Sequence, residues 1–279
     1  MRLLRGLGFA LSLFCVSQAY GATIFNFADF SSCAGLQING NAACTGGVLR
    51  VTPAAFSQSG STFSTTLIPL GAGASFSTFF TFRISGSQFG GADGFAFVVQ
   101  PVSSTVGAGG GGLGYGGIPT SLGVEFDTWN NGTVLGDPSD NHVGIDLDGS
   151  VFSVQTANVT ATLDDGSVFY AWIDYDGSTL ELRLSKSPVR PATPILVRAI
   201  DLAGTLGTTS AYVGFTSGTG AAYSNHDILS WRFDNTFGPI GGAAPTGPIN
   251  VPTLSAAATW LLACLACFVA LFSLRRRRI

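Results

Sequence analysis

Five residues able to hold a metal fall within twenty positions, Gly123 to His142, reading GVEFDTWNNGTVLGDPSDNH. They are Glu125, Asp127, Asn131, Asp137 and His142, in a chain with only two histidines. Glu125 and Asp127 alternate around Phe126, so on a β-strand both carboxylates leave the same face. Thr128 to Gly136 is rich in Asn and Gly and reads as a loop, which Asp137-Pro138 ends. His142 then opens a second apolar run. A strand, loop and returning strand of this kind could enclose two cations. Hard oxygen donors suit Ca²⁺, and a mixed carboxylate–imidazole set suits a transition ion such as Mn²⁺. The competing reading is a solvated acidic loop, because short acidic runs usually lie on the surface.

The elements that must position these residues read as short strands. No helix-period segment of useful length occurs, whereas alternating runs recur between turn residues. Phe76, Thr78, Phe80, Phe82 and Ile84 share one strand face, and Phe95, Phe97 and Val99 share another. Val168 to Ser185 reads as a hairpin turning at Asp176-Gly177. Ala211–Phe215 and Asp227–Phe233 supply two late strands. The 22 phenylalanines suit the space between two facing sheets. The predicted fold class is all-β, a sandwich of antiparallel sheets.

Two apolar ends flank this body. Met1 to Gly21 carries Arg2 and Arg5, an apolar run and small residues at Ala19 and Gly21, the pattern of a secretory signal peptide. Ser255 to Leu274 holds no charge and runs into Arg275–Arg278. Twenty helical residues rise roughly 30 Å, enough to cross a hydrocarbon core with the arginines cytoplasmic. Gly238 to Asn250 is Pro/Gly/Ala-rich and reads as a linker. Of thirteen basic residues, two sit in the leader and four in the tail. The seven left between face all sixteen acidic residues, a net charge of −9 that argues against nucleic acid as a partner. Cys33 and Cys44 are the cysteines of the exported body, and a local disulfide is the natural reading, with two free thiols as the alternative.

These pieces carry a resemblance. ASFSTFFTF, ADGFAFVVQP, GGLG, VEFDTWNN, DPSDNHVGID, WIDYDG, YVGF and HDILSWRF follow the order of the L-type lectins, the legume-lectin and concanavalin A-like group with its bacterial relatives. The resemblance covers Phe25 to about Phe237, within a domain drawn at 22–237, and implies a concanavalin A-like jelly-roll sandwich. It implies that Glu125, Asp127, Asp137 and His142 ligate the transition ion, with Ser153, or its rival Ser150, holding a metal-bound water. It implies Ca²⁺ on Asp127, Asn131, Asp137 and the carbonyl of Trp129. For the sugar it implies Asp93 after a cis Ala92-Asp93 peptide, a backbone N–H in the glycine loop, Asn131 and the ring of Trp129. Gly111 matches the glycine donor, with Gly109, Gly110 and Gly112 competing. Gly218 to Tyr223, including Ala221 and Ala222, occupies the variable loop that tunes sugar choice.

Val251-Pro-Thr-Leu-Ser255, the apolar helix and the arginine cluster resemble the IPTL-CTERM sorting signal of Gram-negative bacteria, with Val for the usual Ile. That implies an exosortase-like processing protease and a product anchored before processing, then at the cell surface or released. The resembled family also pairs edge-to-edge, so a homodimer is possible. The expected function is an exported carbohydrate-binding lectin without catalysis. A laminarinase-type glycoside hydrolase on the same sandwich would need a second glutamate where Trp129 and Asn130 stand. The other alternative is a structural adhesin with a degenerate sugar site. Asp146-Leu-Asp148-Gly149 and Asp174-Tyr-Asp176-Gly177 read as hairpin turns, and His226, just before a strand, as a satisfied polar residue.

Overall fold

A computed structural model describes residues 22–107 and 110–241. The leader, the membrane segment at 255–274, the sorting motif at 251–255, the arginine cluster, most of the linker and the rival Gly109 lie outside the described residues. Among the described residues no helix is long and apolar enough to cross a membrane. In chain order the strands are β1 (Thr23–Phe27), β2 (Leu36–Gly40), β3 (Ala43–Thr45), β4 (Val48–Thr52), β5 (Ser59–Ser64), β6 (Ile68–Pro69), β7 (Phe76–Gln88), β8 (Gly94–Gln100), β9 (Leu122–Asp127), β10 (His142–Leu147), β11 (Gln155–Asn158), β12 (Phe169–Tyr175), β13 (Thr179–Ser185), β14 (Leu196–Ala199), β15 (Ser210–Gly218) and β16 (Tyr223–Asp234).

They form two antiparallel sheets. One runs β14-β13-β12-β7-β16-β4-β3, with β1 also on β16; the other runs β11-β10-β9-β8-β15-β5-β2, with β6 also on β15. Alternation decides which side chains meet between them. Phe76, Phe80 and Phe82 of β7 are fully buried, as are Phe95, Phe97, Phe126, Phe215, Trp231 and Phe233. Phe82 meets Phe95 edge-on at 4.9 Å, and Phe80 meets Phe215 edge-on at 5.1 Å, so the sheets are joined largely through aromatic contacts. The expected hairpin is β12–β13, turning at Asp176-Gly177.

Every residue of β8 is buried, which alternation against one core does not explain. Its outward residues Ala96 and Val98 pack with Phe63, Tyr115 and Ile118 into a second cluster. Residues 101–107 and 110–121 therefore act as a third layer over the outer face, and the strand is buried on both sides. Cys33 and Cys44 form the expected disulfide. Two boundaries differ from the sequence reading. Strand β16 begins at Tyr223, so His226 lies inside it, and Asp146 and Asp174 lie within β10 and β12, leaving only Asp148-Gly149 and Asp176-Gly177 to turn.

Candidate functional site

The outer ends of β8, β9 and β10 and the loops leaving them hold the acidic stretch. In the β9–β10 register His142 lies opposite Asp127 and Gly144 opposite Glu125. The period of two then puts Glu125, Asp127, His142, Gly144 and Asp146 on one face. Gly144 is small for a reason: a Cβ there would collide with the Glu125 carboxylate and the Ser153 hydroxyl. Glu125, Asp127 and His142 offer ligand atoms all within 4.8 Å of one another. His142 Nε2 lies 3.4 Å from Glu125 Oε1 and 4.0 Å from Asp137 Oδ1.

His142 Nδ1 lies 2.8 Å from the carbonyl of Ser139, which only an Nδ1–H can satisfy. In the neutral ring Nε2 then carries the lone pair, and it is buried without a hydrogen-bond partner. A neutral imidazole oriented from behind in this way is the form that ligates a metal. The loop between the strands turns back on the cluster: Asp127 Oδ1 accepts from Trp129 N–H at 2.7 Å, and Asp137 Oδ2 accepts from Asn131 N–H at 2.5 Å. Asn131 Oδ1 is also buried and unpartnered.

Burial dominates the electrostatics. It drives the Asp127 carboxyl well above the usual carboxylate range, and the neighbouring Glu125 adds to the shift. Asp137 is raised by burial, against the opposing Asn131 N–H and His142. Asp146 is raised by burial first and then by Glu125. Concentrated carboxylates in low dielectric need either protons or cations, and the donor set suits cations of the two kinds expected. Ser153 Oγ lies 2.6 Å from both Glu125 Oε1 and Asp146 Oδ1, with one proton to donate between them, whereas Ser150 is exposed and caps the Phe152 N–H. Ser153, not Ser150, belongs to the cluster.

Asp146 corrects the sequence reading, which spent it on a turn. Its side chain is fully buried, with Oδ2 unpartnered beside Glu125. The alternation His142, Gly144, Asp146 was the available signal, masked by the turn chemistry of the Asp148-Gly149 pair that follows. Gly144 was missed for the same reason.

Next to this cluster, Asp93 sits at the mouth of β8 after a cis Ala92–Asp93 peptide bond. Its N–H donates to Gly218 O at 3.1 Å and its carbonyl accepts from Thr128 N–H at 2.9 Å, tying it to both neighbouring strands. Oδ2 is buried and unpartnered, and burial pushes the carboxyl up to about 6. Of the competing glycines, a Cβ on Gly111 would lie 3.3 Å from Asn131 Nδ2, while Gly110 and Gly112 have nothing within 4 Å. The structure thus puts Gly111 against the Asn131 amide. In the variable loop Ala221 is exposed and Ala222 buried, and a Cβ on Gly220 would lie 3.6 Å from Asp93 Oδ2. Trp129 keeps about a third of its surface exposed beside these groups.

This architecture has relatives. A family model described as the legume lectin domain matches residues 22–244. L-type lectin-domain containing receptor kinase VIII.1 of Arabidopsis thaliana is 33% identical over 258 residues, covering 82% of this chain and 34% of that protein. Receptor kinase S.7 of Oryza sativa subsp. japonica is 38% identical over 189 residues, covering 62% of this chain and 26% of its own length. The chain thus spans about a third of the plant receptors it matches. Among solved structures, the lectin from Bauhinia forficata in complex with GalNAc superposes with a TM-score of 0.67 at 28% identity, covering 77% of this chain and 98% of that one. The winged bean acidic lectin complexed with methyl-α-D-galactose gives 0.65 at 27%, covering 77% and 98%. The chain belongs to the legume lectin, or L-type lectin, family.

Proposed function

We propose that this domain binds a glycan at Asp93, Gly111, Trp129 and Asn131, on a site organised by Ca²⁺ and a transition ion. As a legume lectin domain it is a binding module, not an enzyme. One observation carries the finer reading. Asp93 Oδ2, Asn131 Oδ1 and His142 Nε2 are buried polar atoms without partners, gathered where three strands end, and Asp146 Oδ2 is a fourth, farther along β10. Buried polar atoms are normally paired, so such a gathering fits absent ligands.

Glu125, Asp127, Asp137 and His142 would hold the transition ion, with Ser153 positioned to hold a bound water. Asp127, Asp137, Asn131 and the Trp129 carbonyl would hold Ca²⁺. The bound cations neutralise the acidic cluster and fix the loop from Thr128 to Asp137 before sugar arrives, which lowers the ordering entropy opposing binding. Asp93 and Asn131 can each engage two neighbouring sugar hydroxyls, the Gly111 N–H can donate to a third group, and the Trp129 ring can cover an apolar C–H face. Galactose and N-acetylgalactosamine are the first probes, after the ligands of the two solved relatives.

Export through the leader, with anchoring and exosortase-like processing at the tail, completes the proposal. Its support is the sequence pattern at the two ends; intact mass of surface material should show loss of Ser255 to Ile279. For the site, retention on a galactose or N-acetylgalactosamine column should vanish in EDTA and return with Ca²⁺ and Mn²⁺. Asp93→Ala should lose retention with unchanged circular dichroism. Retention that survives full chelation would remove the metals from the reading.

A further inference from the structure

Three aromatic side chains crowd the rim beside the sugar site. Phe56 is 53% exposed and Phe89 69%, and Tyr223 is half-buried between them. Phe56 stacks on Phe89 with ring centroids 5.6 Å apart and meets Tyr223 edge-on at 4.8 Å; Phe89 and Tyr223 lie 6.0 Å apart. The three come from the loop after β4, the turn after β7 and the start of β16, so the fold assembles the cluster.

The cluster adjoins the sugar site on two sides. Phe89 precedes Gly90, where a Cβ would lie 3.6 Å from the Trp129 ring. Ser57, next to Phe56, donates its N–H to the carbonyl of Gly220, the residue set against Asp93 Oδ2. The local backbone opposes this arrangement. Phe89 has φ +58° and Ser57 φ +53°, in the left-handed region that a bulky residue rarely enters. Gly90 and Gly91 follow with φ +104° and +76°, so this loop uses glycine at its next two left-handed positions and a phenyl ring at position 89. An exposed ring on a strained backbone is unfavourable twice over for stability, and strain of this kind collects at binding sites.

We propose that Phe56, Phe89 and Tyr223 form a second sugar subsite, an aromatic platform for the pyranose adjoining the one held at Asp93. The inference rests on the lectin reading above and makes the preferred ligand an oligosaccharide. Continuity with Asp93 and Trp129 selects the occupant: a ring linked to the first sugar is delivered to this rim. Aromatic faces match the C–H face of a pyranose, and the trio carries no charge to select individual hydroxyls. The subsite reads ring shape and linkage rather than hydroxyl configuration. Three side chains are far smaller than the area of about 800 Å² per partner that a stable protein interface buries.

The test compares methyl glycosides of galactose, mannose and glucose with their di- and trisaccharides, by calorimetry on the full chain loaded with Ca²⁺ and Mn²⁺. The wild type should bind its best trisaccharide about tenfold more tightly than the matching methyl glycoside. Phe89→Gly should reduce that preference to about twofold while the melting temperature holds or rises, since glycine relieves the left-handed strain. A ring held there for structural reasons would instead lower the melting temperature. Phe56→Ala should reproduce the loss of preference. An undiminished preference in both variants, or none in the wild type, overturns the platform while leaving the primary site standing. A drop in self-association on sedimentation with the preference intact assigns the patch to a second copy of the chain. If no saccharide binds the loaded wild type, the lectin reading fails and the platform with it.

Discussion

Both sheets bury carboxylates, and they treat them in opposite ways. On the first sheet Asp174 of β12 and Asp227 of β16 are almost fully buried, and arginines meet each of them. Arg190 reaches Asp174 at 2.5 Å with Arg183 at 3.9 Å; Arg50 grips Asp227 through two bonds of 2.7 and 2.9 Å, with Arg83 at 3.9 Å. On the second sheet Glu125, Asp127 and Asp146 are equally buried, yet among the described residues no lysine or arginine pairs with any of them. A buried charge needs compensation. The first sheet carries its own counter-charge, although Arg83 Nε, Asp174 Oδ1 and Arg190 Nη1 have no hydrogen-bond partner. The second leaves the charge open, and the difference marks where a cation belongs.

The largest effect should follow from removing one open charge. Asp127→Asn keeps an acceptor for the Trp129 N–H but deletes a ligand proposed for both ions. Glycan binding should fall more than about a thousandfold, beyond ordinary detection. At ligand concentrations near a hundred times Kd, Ca²⁺ and Mn²⁺ should raise the wild-type melting temperature by about 5–10 °C, and the variant's by less than about 1 °C. The chelated variant should melt no lower than chelated wild type, because a buried carboxyl raised by burial and by Glu125 is itself destabilising when ionised. A chelated variant that melts well below wild type would mean that the charge is compensated within the protein, and the comparison would fail.

The converse experiment is Arg190→Met, which leaves Asp174 with the more distant Arg183 alone. Breaking a buried pair from one side should cost about 3 kcal/mol, or about 6–12 °C for a domain of this size. Calcium and manganese should raise the melting temperature of this variant as much as that of wild type, since the damage lies on the other sheet. A variant that lost its metal response as well would show the two charge systems to be coupled.

This contrast was only half legible in the sequence. The strand pattern, the core faces of β7 and β8, the β12–β13 turn and the stretch from Glu125 to His142 follow from residue types, local alternation and turn chemistry, and the disulfide pairing from two cysteines in an exported body. Asp146 and Asp174 were assigned to turns because each stands two residues before an Asp-Gly turn. A local signal at Asp148-Gly149 and Asp176-Gly177 outweighed the period of the strand behind it. The arginine partners are another matter. Arg50 and Asp227 stand 177 positions apart, and only the register between β4 and β16 brings them together. The third layer over β8 is hidden likewise, because Tyr115 and Ile118 come from a glycine-rich loop without strand periodicity. The rim aromatics are hidden too, each drawn from a different segment of the chain.

The smallest effect concerns a buried group that belongs to neither scheme. His226 lies wholly buried in β16, as a polar residue satisfied on one side. Its hydrogen bonds can be directed without ambiguity. Ser217 Oγ donates to the Gly94 carbonyl at 2.7 Å, so it must accept from Thr52 Oγ1 at 2.7 Å. The Thr52 proton is thereby committed, and the 2.8 Å contact between Thr52 and His226 requires Nδ1–H to donate. Nε2 keeps its lone pair and has no partner. Protonating it would create a buried cation without an acceptor, and burial depresses the imidazole to about 3 from its ordinary 6.5. A depressed histidine binds fewer protons folded than unfolded, so its contribution is intact above 6.5 and is lost as pH falls from 6.5 toward 3. At pH 5 the loss should be about 2 kcal/mol relative to pH 7. His226→Gln can still donate to Thr52 but does not titrate, so urea unfolding in EDTA at pH 7 and pH 5 should differ less in the variant by that amount. Equal slopes for the two proteins would place the acid sensitivity elsewhere. The expected slope would instead show that a neutral base is stable where two hydroxyls and a carbonyl direct its proton, without the counter-charge that Asp174 and Asp227 require. Because the relay ends on the carbonyl of Gly94, directly after Asp93, it also supports the backbone from which the Asp93 carboxylate projects.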